Sequence, residues 1–299
     1  MQHIVDKLNN KSVGKVTLNE PLKKHTTIKI GGPADLFIRP NSIEALHDTL
    51  EILREHDIPV RVIGRGSNLL IPDEGIRGAV IQFGKGLDHL VVNEDQILVG
   101  GGYPLVRLAA IISRDELSGF EFAGGIPGSV GGAVFMNAGA HGSDISKILV
   151  KAHILFEDGT TEWLSNEDMK FDYRKSVLQN ERKGYCLEAV FQLQKGNKKE
   201  ILAEMNKHKD YRRETQPWDY PCAGSIFRNP LPNHAGQLVE ELGLKGHQIG
   251  GAKISEMHGN FIVNDGDASY HDVMALIQLI KEQVKENYDI DMVTEVEIL

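Results

Sequence analysis

Ala123-Gly-Gly-Ile-Pro-Gly-Ser-Val-Gly-Gly-Ala-Val-Phe-Met-Asn-Ala-Gly-Ala140 is the densest glycine segment of the chain. Glycines gather where the backbone needs positive φ or where something must approach it closely. A second segment, Gly64-Arg-Gly-Ser-Asn-Leu-Leu70, lies upstream. The chain has 31 glycines in 299 residues, about 10% against a usual ~7%. Eleven fall between Gly100 and Gly142 and six between Gly64 and Gly86. The residues between them are varied and apolar, so this is not low complexity. A turn-rich β region would account for part of it. Both segments also have the chemistry of anion cradles, because glycines leave consecutive amide N–H groups unshielded. Ser67, Asn68, Ser129 and Asn137 add neutral donors. Two such segments point to a large, diphosphate-bearing cofactor held by loops.

Outward from these segments, the N-terminal third reads β-α-β. Residues 26–40 alternate like two short strands around Gly31-Gly32. Asn41 or Ser42 caps a helix to about His56, with Glu44 in its first turn and Ile43, Leu46, Leu50 and Leu53 on one face. Strands are expected at 58–64, 78–83, 90–93 and 96–100. A helix follows from Pro104, a residue suited to the first helical position. Residues 148–165 read as a hairpin turning at Asp158-Gly159, and 185–194 as a further strand. Near Gly196 the texture changes to a charged helix over 197–214, with Ile201, Leu202 and Met205 on its buried side. Beyond it lie a proline-rich loop (Pro217, Pro221, Pro230, Pro232), a helix near 237–242, a strand at 261–264, a helix over 270–287 and a closing strand at 292–299. The expected organisation is a first domain, 1–196, of two subdomains split near 84, and a compact α+β domain, 197–299. No internal repeat is evident.

The chain has a mass of 33.1 kDa. It is 41% hydrophobic and 25% charged, as ordinary globular proteins are. Lys plus Arg number 33 against 42 Asp plus Glu, for a net charge of −9. That argues against a nucleic-acid partner, which needs a basic surface, but not against a small anion met by a few converging basic groups. Cys186 and Cys222 cannot build a disulfide framework or a zinc site and fit the reduced thiols of a cytoplasm. No apolar run approaches the ~18 residues that span a bilayer, and the N-terminal MQHIVDKLNNKS lacks a signal-peptide hydrophobic region. The expectation is a cytoplasmic protein without a membrane or nucleic-acid partner, a monomer rather than an obligate oligomer. GxGxxG, GxxxxGK[ST] and GxSxG are all absent. The twelve histidines never come closer than nine residues, which removes HExxH, and no metal is expected.

Five further motifs follow the two glycine segments: FDYRKS at 171–176, AGSIFRNP at 223–230, AGQLVEELGLKG at 235–246, HGNFIVN at 258–264 and TEVEIL at 294–299. The ordered set resembles the UDP-N-acetylenolpyruvoylglucosamine reductase family over about Thr26 to Leu299. The glycine segments alone resemble the FAD-binding domain shared with vanillyl-alcohol-oxidase-type flavoproteins, and the C-terminal motifs narrow the likeness. The resemblance implies an α+β fold: a two-subdomain FAD-binding domain of the vanillyl-alcohol-oxidase (PCMH) type and a C-terminal α+β substrate-binding domain. It implies non-covalent FAD, NADPH as hydride donor and a UDP-sugar substrate. The implied reaction reduces UDP-N-acetyl-3-O-(1-carboxyvinyl)-glucosamine to UDP-N-acetylmuramate for peptidoglycan.

Carried over residue by residue, the resemblance makes Ser225 the proton donor, Arg174 the active-site arginine and Glu295 the C-terminal glutamate. Asn229 and Arg213 match positions that touch the UDP-sugar, and Tyr173 and His258 border it within their motifs. FAD falls to Gly64, Arg65, Gly66, Ser67, Asn68 and Leu69. It also falls to Gly124, Gly125, Pro127, Gly128, Ser129, Gly131, Gly132, Ala133, Asn137, Ala138 and Gly139. Eleven residues separate Arg174 from Cys186, so the chain resembles the branch that lacks an inserted, substrate-covering tyrosine.

The residue types suit the implied chemistry. Reducing an enol ether beside a carboxylate needs a hydride that no side chain can deliver. A guanidinium such as Arg174 grips a carboxylate through two parallel bonds. Ser225 is a plausible acid only against a strongly basic carbanion. Glu295 has two readings: a neutral acid with a pKa raised by burial, or an anion orienting Arg174 or a water. Two rival functions share features of the pattern. A flavin oxidase of small hydroxy acids would use oxygen and not need the Ser225 motif, and a non-catalytic UDP-sugar-binding module would carry no flavin.

Overall fold

Ser42 is extended (φ −159°, ψ 174°), and its side chain accepts the Ala45 amide at 3.0 Å, starting the helix Ile43–Glu55. A hydroxyl there satisfies one of the amides that a first helical turn leaves open. The computed structural model describes residues 1–299. Two units emerge. The first comprises Met1–Leu18, Asp35–Arg65 and Gly78–Asp210; the second comprises Asn19–Ala34, Gly66–Arg77 and Tyr211–Leu299. The boundary between Asp210 and Tyr211 falls inside the helix Lys198–Thr215, whereas sequence texture places a boundary at 196. Met205, halfway along that helix, is buried in the first unit's core, which ties the helix's first half to that unit.

The first unit holds two large sheets and two two-stranded ones. The four-stranded one has the order Gly14–Pro21, Pro33–Pro40, Ile76–Gln82, Val60–Ile63. Its last two strands run parallel, with Val60 opposite Ala79 and Ile63 opposite Gln82. The helix Ile43–Glu55 buries Ala45, Leu46, Ile52 and Leu53 in a core with Leu36, Ile38, Ala79 and Ile81. Ile4, Val5 and Leu8 of the helix Gln2–Asn10 join that core. This helix has no counterpart in the sequence reading; no side chain caps its start.

The five-stranded antiparallel sheet has the order Thr161–Ser165, Leu149–Phe156, Gly184–Gln192, Gln96–Gly100, Leu90–Asn93. Its first two strands form the expected hairpin, with Gly159 at φ 87°. Leu155 and Leu187 enter the core just described. Ala152, Ile154, Ala189 and Phe191 enter a second core, with Leu105, Leu108 and Ile112 of the helix Leu105–Arg114. Apolar residues of this sheet thus serve two cores. Pro104 stands one residue ahead of that helix, with an extended ψ of 120°.

In the second unit, Gln248–Ile249, Ala252–Ile254 and Ile262–Asn264 form a three-stranded sheet. The helix Tyr270–Tyr288 opens on a capping box between Ser269 and Asp272. It shares a core with Ala252, Ile254 and Ile262 through Val273, Leu276, Ile277, Ile280 and Val284. Ile28 and Ile30 lie in the same core, and this corrects one expectation, because residues 26–30 are not a strand. Lys29 has φ 62° and Gly31 φ 136°, and Thr26 Oγ1 donates to the Ile30 carbonyl at 2.8 Å. A turn buries both isoleucines, giving the same apolar alternation that a strand would. The closing strand is also shorter than expected: Glu297–Ile298 pairs parallel to Leu69–Leu70. No helix is long and apolar enough to cross a membrane.

Candidate active site

The two glycine segments meet within the first unit. A Cβ added to Gly64 would stand 2.5 Å from Ser129 Oγ. Ser129 is buried and caps the helix Val130–Met136, its hydroxyl accepting the Gly132 amide at 3.3 Å. The 123–140 segment is therefore partly helical. Its glycines divide by role. Gly131 donates to the Gly101 carbonyl at 2.8 Å, and a side chain there would strike the backbone of Gly101 and Cys186. Gly124 lies against Met205, and Gly139 against Asp144. Gly128 has φ 138° and its carbonyl accepts the Leu105 amide. A Cβ on Gly132, by contrast, would meet only Ser129 Oγ, at 3.5 Å. Packing demands several of these glycines, whereas Gly132, beside Ser129, has open space next to it. No acidic side chain occurs at 64–69 or 124–139, and exposed Arg65 is the one charged residue there. Amides, hydroxyls and one guanidinium are a donor set that fits the pyrophosphate of FAD.

Asn137 closes the helix in the left-handed region, at φ 44°. Its Nδ2 donates to the Asp172 carbonyl at 3.1 Å, and its Oδ1 accepts the Ser146 amide at 2.9 Å. The amide is engaged at both ends inside the protein, so the neutral donor read from sequence serves to hold the next motif. That motif is a two-residue turn. Asp172 and Lys175 exchange both main-chain hydrogen bonds, at 3.1 and 3.0 Å. Arg174 has φ 55°, a region that costs a non-glycine residue about 1–2 kcal/mol. Gln179 Nε2 donates to the Arg174 carbonyl at 3.1 Å, and Ser176 Oγ to the Phe135 carbonyl at 2.6 Å. The guanidinium lies 5.3 Å from the centre of the Tyr173 ring, which is 40% exposed. Glycine segment and arginine turn thus form one assembly.

The second unit assembles the other candidates. Gly224, beside Ser225, has φ 76°, and a Cβ there would meet only the Ser67 carbonyl, at 3.8 Å. The buried Asn260 grips the chain just past Ser225. Its carbonyl accepts the Ile226 amide at 2.9 Å, its Oδ1 accepts the Phe227 amide at 2.9 Å, and its Nδ2 donates to the Phe227 carbonyl at 2.8 Å. The Glu295 amide donates to the Ile226 carbonyl at 2.8 Å. Ser225 and Glu295, far apart in sequence, therefore sit on hydrogen-bonded neighbouring segments. Asn68 Nδ2 donates to the Glu295 carbonyl at 2.9 Å. Asn229 Oδ1 accepts the Ala235 amide at 3.0 Å and so caps the helix Ala235–Glu241, whose own N-cap, His234, makes no side-chain cap.

Arg213 is exposed, 5.9 Å from the Trp218 ring centre. His258 packs against Gly236, and its Nδ1 accepts the Asn260 amide at 3.1 Å, so the neutral ring carries its proton on Nε2. Burial, then the Lys245 charge, pushes its pKa below the ordinary value. Burial pushes the Glu297 carboxyl up, against an opposing pull from Arg228. Cys186 and Cys222 are free, and burial raises both thiols, which leaves them inert at neutral pH. Sequence reasoning missed Asn260. Its motif was visible, but the signal for its role, a buried amide facing main chain from another motif, exists only in three dimensions.

A family model described as "FAD binding domain" matches residues 34–165. One described as "UDP-N-acetylenolpyruvoylglucosamine reductase, C-terminal domain" matches 216–299. The chain is 63% identical over 299 residues to the UDP-N-acetylenolpyruvoylglucosamine reductase of Bacillus velezensis, covering 100% of this chain and 99% of that one. The crystal structure of UDP-N-acetylenolpyruvylglucosamine reductase from Thermus caldophilus is similar, with a TM-score of 0.81, 36% identity and coverage of 95% of this chain and 98% of that one. An alkyldihydroxyacetonephosphate synthase shares the fold alone, at a TM-score of 0.50 and 17% identity, over 65% of this chain and 40% of that one.

Proposed function

The chain belongs to the UDP-N-acetylenolpyruvoylglucosamine reductase family, and from that premise we propose how its residues divide the chemistry. The protein is an FAD-containing oxidoreductase that uses NADPH to reduce UDP-N-acetyl-3-O-(1-carboxyvinyl)-glucosamine to UDP-N-acetylmuramate, a peptidoglycan precursor. Its α+β fold joins a PCMH-type FAD-binding domain to the reductase C-terminal domain.

In this reading FAD is held by the segments 64–69 and 124–139 and supplies, when bound, the hydride-transferring centre that no side chain offers. Reduction of the enol ether builds negative charge on the adjacent carboxylate. Arg174 meets that charge, and its pinned turn aims the guanidinium before the charge develops, as effective electrostatic stabilisation requires. Ser225 Oγ gives its proton to the carbon that bears the carboxylate. Glu295 serves the same proton delivery, on the segment hydrogen-bonded to Ile226. Asn229 and Arg213 contact the UDP-sugar, and Tyr173 and His258 border it. The enzyme works as a cytoplasmic monomer with no membrane or nucleic-acid partner, consistent with its net charge of −9.

The observation that carries this reading is the Glu295–Ile226 hydrogen bond, which brings the two proton-handling candidates onto neighbouring segments. An anaerobic visible spectrum tests it. NADPH should bleach the flavin band, and the enolpyruvyl UDP-sugar should restore it. Ser225→Ala should bleach normally and stay bleached. A wild-type flavin that oxygen but not the UDP-sugar restores would favour the hydroxy-acid oxidase, and normal turnover by Ser225→Ala would remove the proton-donor role.

A further inference from the structure

We propose that Asn68 is a positioning residue for Glu295, and that through it the flavin loop fixes the segment carrying that carboxylate. The inference rests on the reading of Glu295 given above. Both peptide groups of Glu295 are held: its N–H by the Ile226 carbonyl at 2.8 Å and its C=O by Asn68 Nδ2 at 2.9 Å. With both fixed, only side-chain rotation is left to place the carboxylate. The Asn68 carbonyl also accepts the Glu297 amide at 3.0 Å. Asn68 therefore grips two alternate residues of one segment, once with main chain and once with side chain.

The register explains why a side chain is needed. Glu297 pairs with Leu69 and Ile298 with Leu70 in a parallel ladder, and the Leu299 amide donates to the Leu70 carbonyl at 3.1 Å. A regular parallel ladder alternates its donors and acceptors evenly along the pair. Continued toward the N-terminus, it would next bring a main-chain amide of the loop to the Glu295 carbonyl. The Asn68 side chain makes that rung, so the loop leaves the ladder while keeping its hold on Glu295. The preceding residue, Ser67, has its carbonyl beside Gly224, next to Ser225. One glycine loop of the cofactor motif thus touches the segments of both proton-handling residues. A ligand that immobilises this loop also immobilises the Glu295 segment.

Asn68→Ala in the full-length protein tests this. Asn68 lies in the segment that holds FAD, so the variant is compared as flavin-loaded protein, and its reduction by NADPH, a half-reaction that does not use Glu295, serves as the baseline. Reoxidation by the enolpyruvyl UDP-sugar should slow about 10- to 100-fold more than that reduction does, the scale of a misplaced catalytic group. On a Glu295→Gln background, Asn68→Ala should add almost nothing, since the two act as one unit. Equal losses on both backgrounds, or unchanged reoxidation, would overturn the proposal.

Hydrogen exchange gives a readout that needs no turnover. In flavin-free protein, amides of 294–299 should exchange faster in Asn68→Ala than in wild type, and FAD should protect them in wild type only. Unaltered exchange in the flavin-free variant would also overturn the proposal, even if the variant cannot retain FAD. Wild-type protein that the substrate fails to reoxidise would instead break the functional reading itself.

Discussion

The Arg174 turn and the Glu295 segment each present a candidate catalytic side chain, yet they are fixed in different ways. The turn is closed locally: Asp172 and Lys175 exchange both main-chain bonds and Gln179 holds the Arg174 carbonyl, while Ser176 and Asn137 tie the closed turn to the glycine segment. It holds Arg174 at φ 55°. The Glu295 segment is a bend just ahead of the strand Glu297–Ile298, and its anchors, Ile226 and Asn68, are remote in sequence. A turn with redundant local bonds can store backbone strain. The Glu295 bend is held from outside and takes its geometry from distant partners.

Replacing Arg174 tests the first half of that contrast and should give the largest effect. Arg174→Ala and Arg174→Gly both remove the guanidinium, and each should lower kcat by about 100- to 1,000-fold, as loss of a preorganised charge partner does. The two should differ in stability. Glycine adopts positive φ without steric cost, so Arg174→Gly should be the more stable by about 1 kcal/mol in urea unfolding, the gain typical of relieving such strain. Equal stabilities would show that the turn is not strained, and an active Arg174→Ala would remove Arg174 from the chemistry.

The second half turns on Asn260. Asn260→Ala leaves the Phe227 amide and carbonyl without their partner at a buried place, at a cost of about 1–3 kcal/mol for each group. Ser176→Ala removes one brace from a turn that keeps several others, and should cost about 1 kcal/mol. Asn260→Ala should therefore shift the thermal midpoint clearly further than Ser176→Ala. Comparable shifts would mean that the remote segment has redundancy not visible in its hydrogen bonds.

The same contrast explains what could be read from the sequence. The helix at Ile43–Glu55, the Asp158-Gly159 hairpin and the helix Tyr270–Tyr288 carry their signals in adjacent residues: a cap, a turn pair, an apolar stripe. Residues 26–30 misled because a turn and a strand can bury the same two isoleucines. The glycine segments announced a cofactor, but sequence cannot tell a glycine with open space beside it, such as Gly132, from one pressed against backbone, as Gly131 is. The motifs carried Arg174, Ser225 and Glu295 into view. The asparagines that hold them, Asn137, Asn260 and Asn68, act across motifs, and only the fold shows which main chain each amide meets.

The smallest effect belongs to Glu297, two residues past Glu295 on the remotely held segment. Burial raises its pKa above the ordinary 4.5, while Arg228 pulls the other way. A raised carboxyl pKa means that the native state binds the proton more tightly than the unfolded chain does. The associated stability is complete below pH 4.5 and drains away as pH rises through the native value. Glu297→Gln keeps the shape and removes the titration, so it should match wild type near pH 4 and become the more stable of the two toward pH 8. The difference between the proteins is the quantity to follow, because His258 acts on both with the opposite sign. Its lowered pKa removes stability as pH falls below about 6.5, the unperturbed histidine value. Urea midpoints for the pair at pH 4, 6 and 8 read this difference directly. A gap that widens with pH says that the segment holds a carboxyl it would rather keep neutral. A gap that reverses says that Arg228, whose Nε is buried without a hydrogen-bond partner, outweighs the burial of the carboxyl.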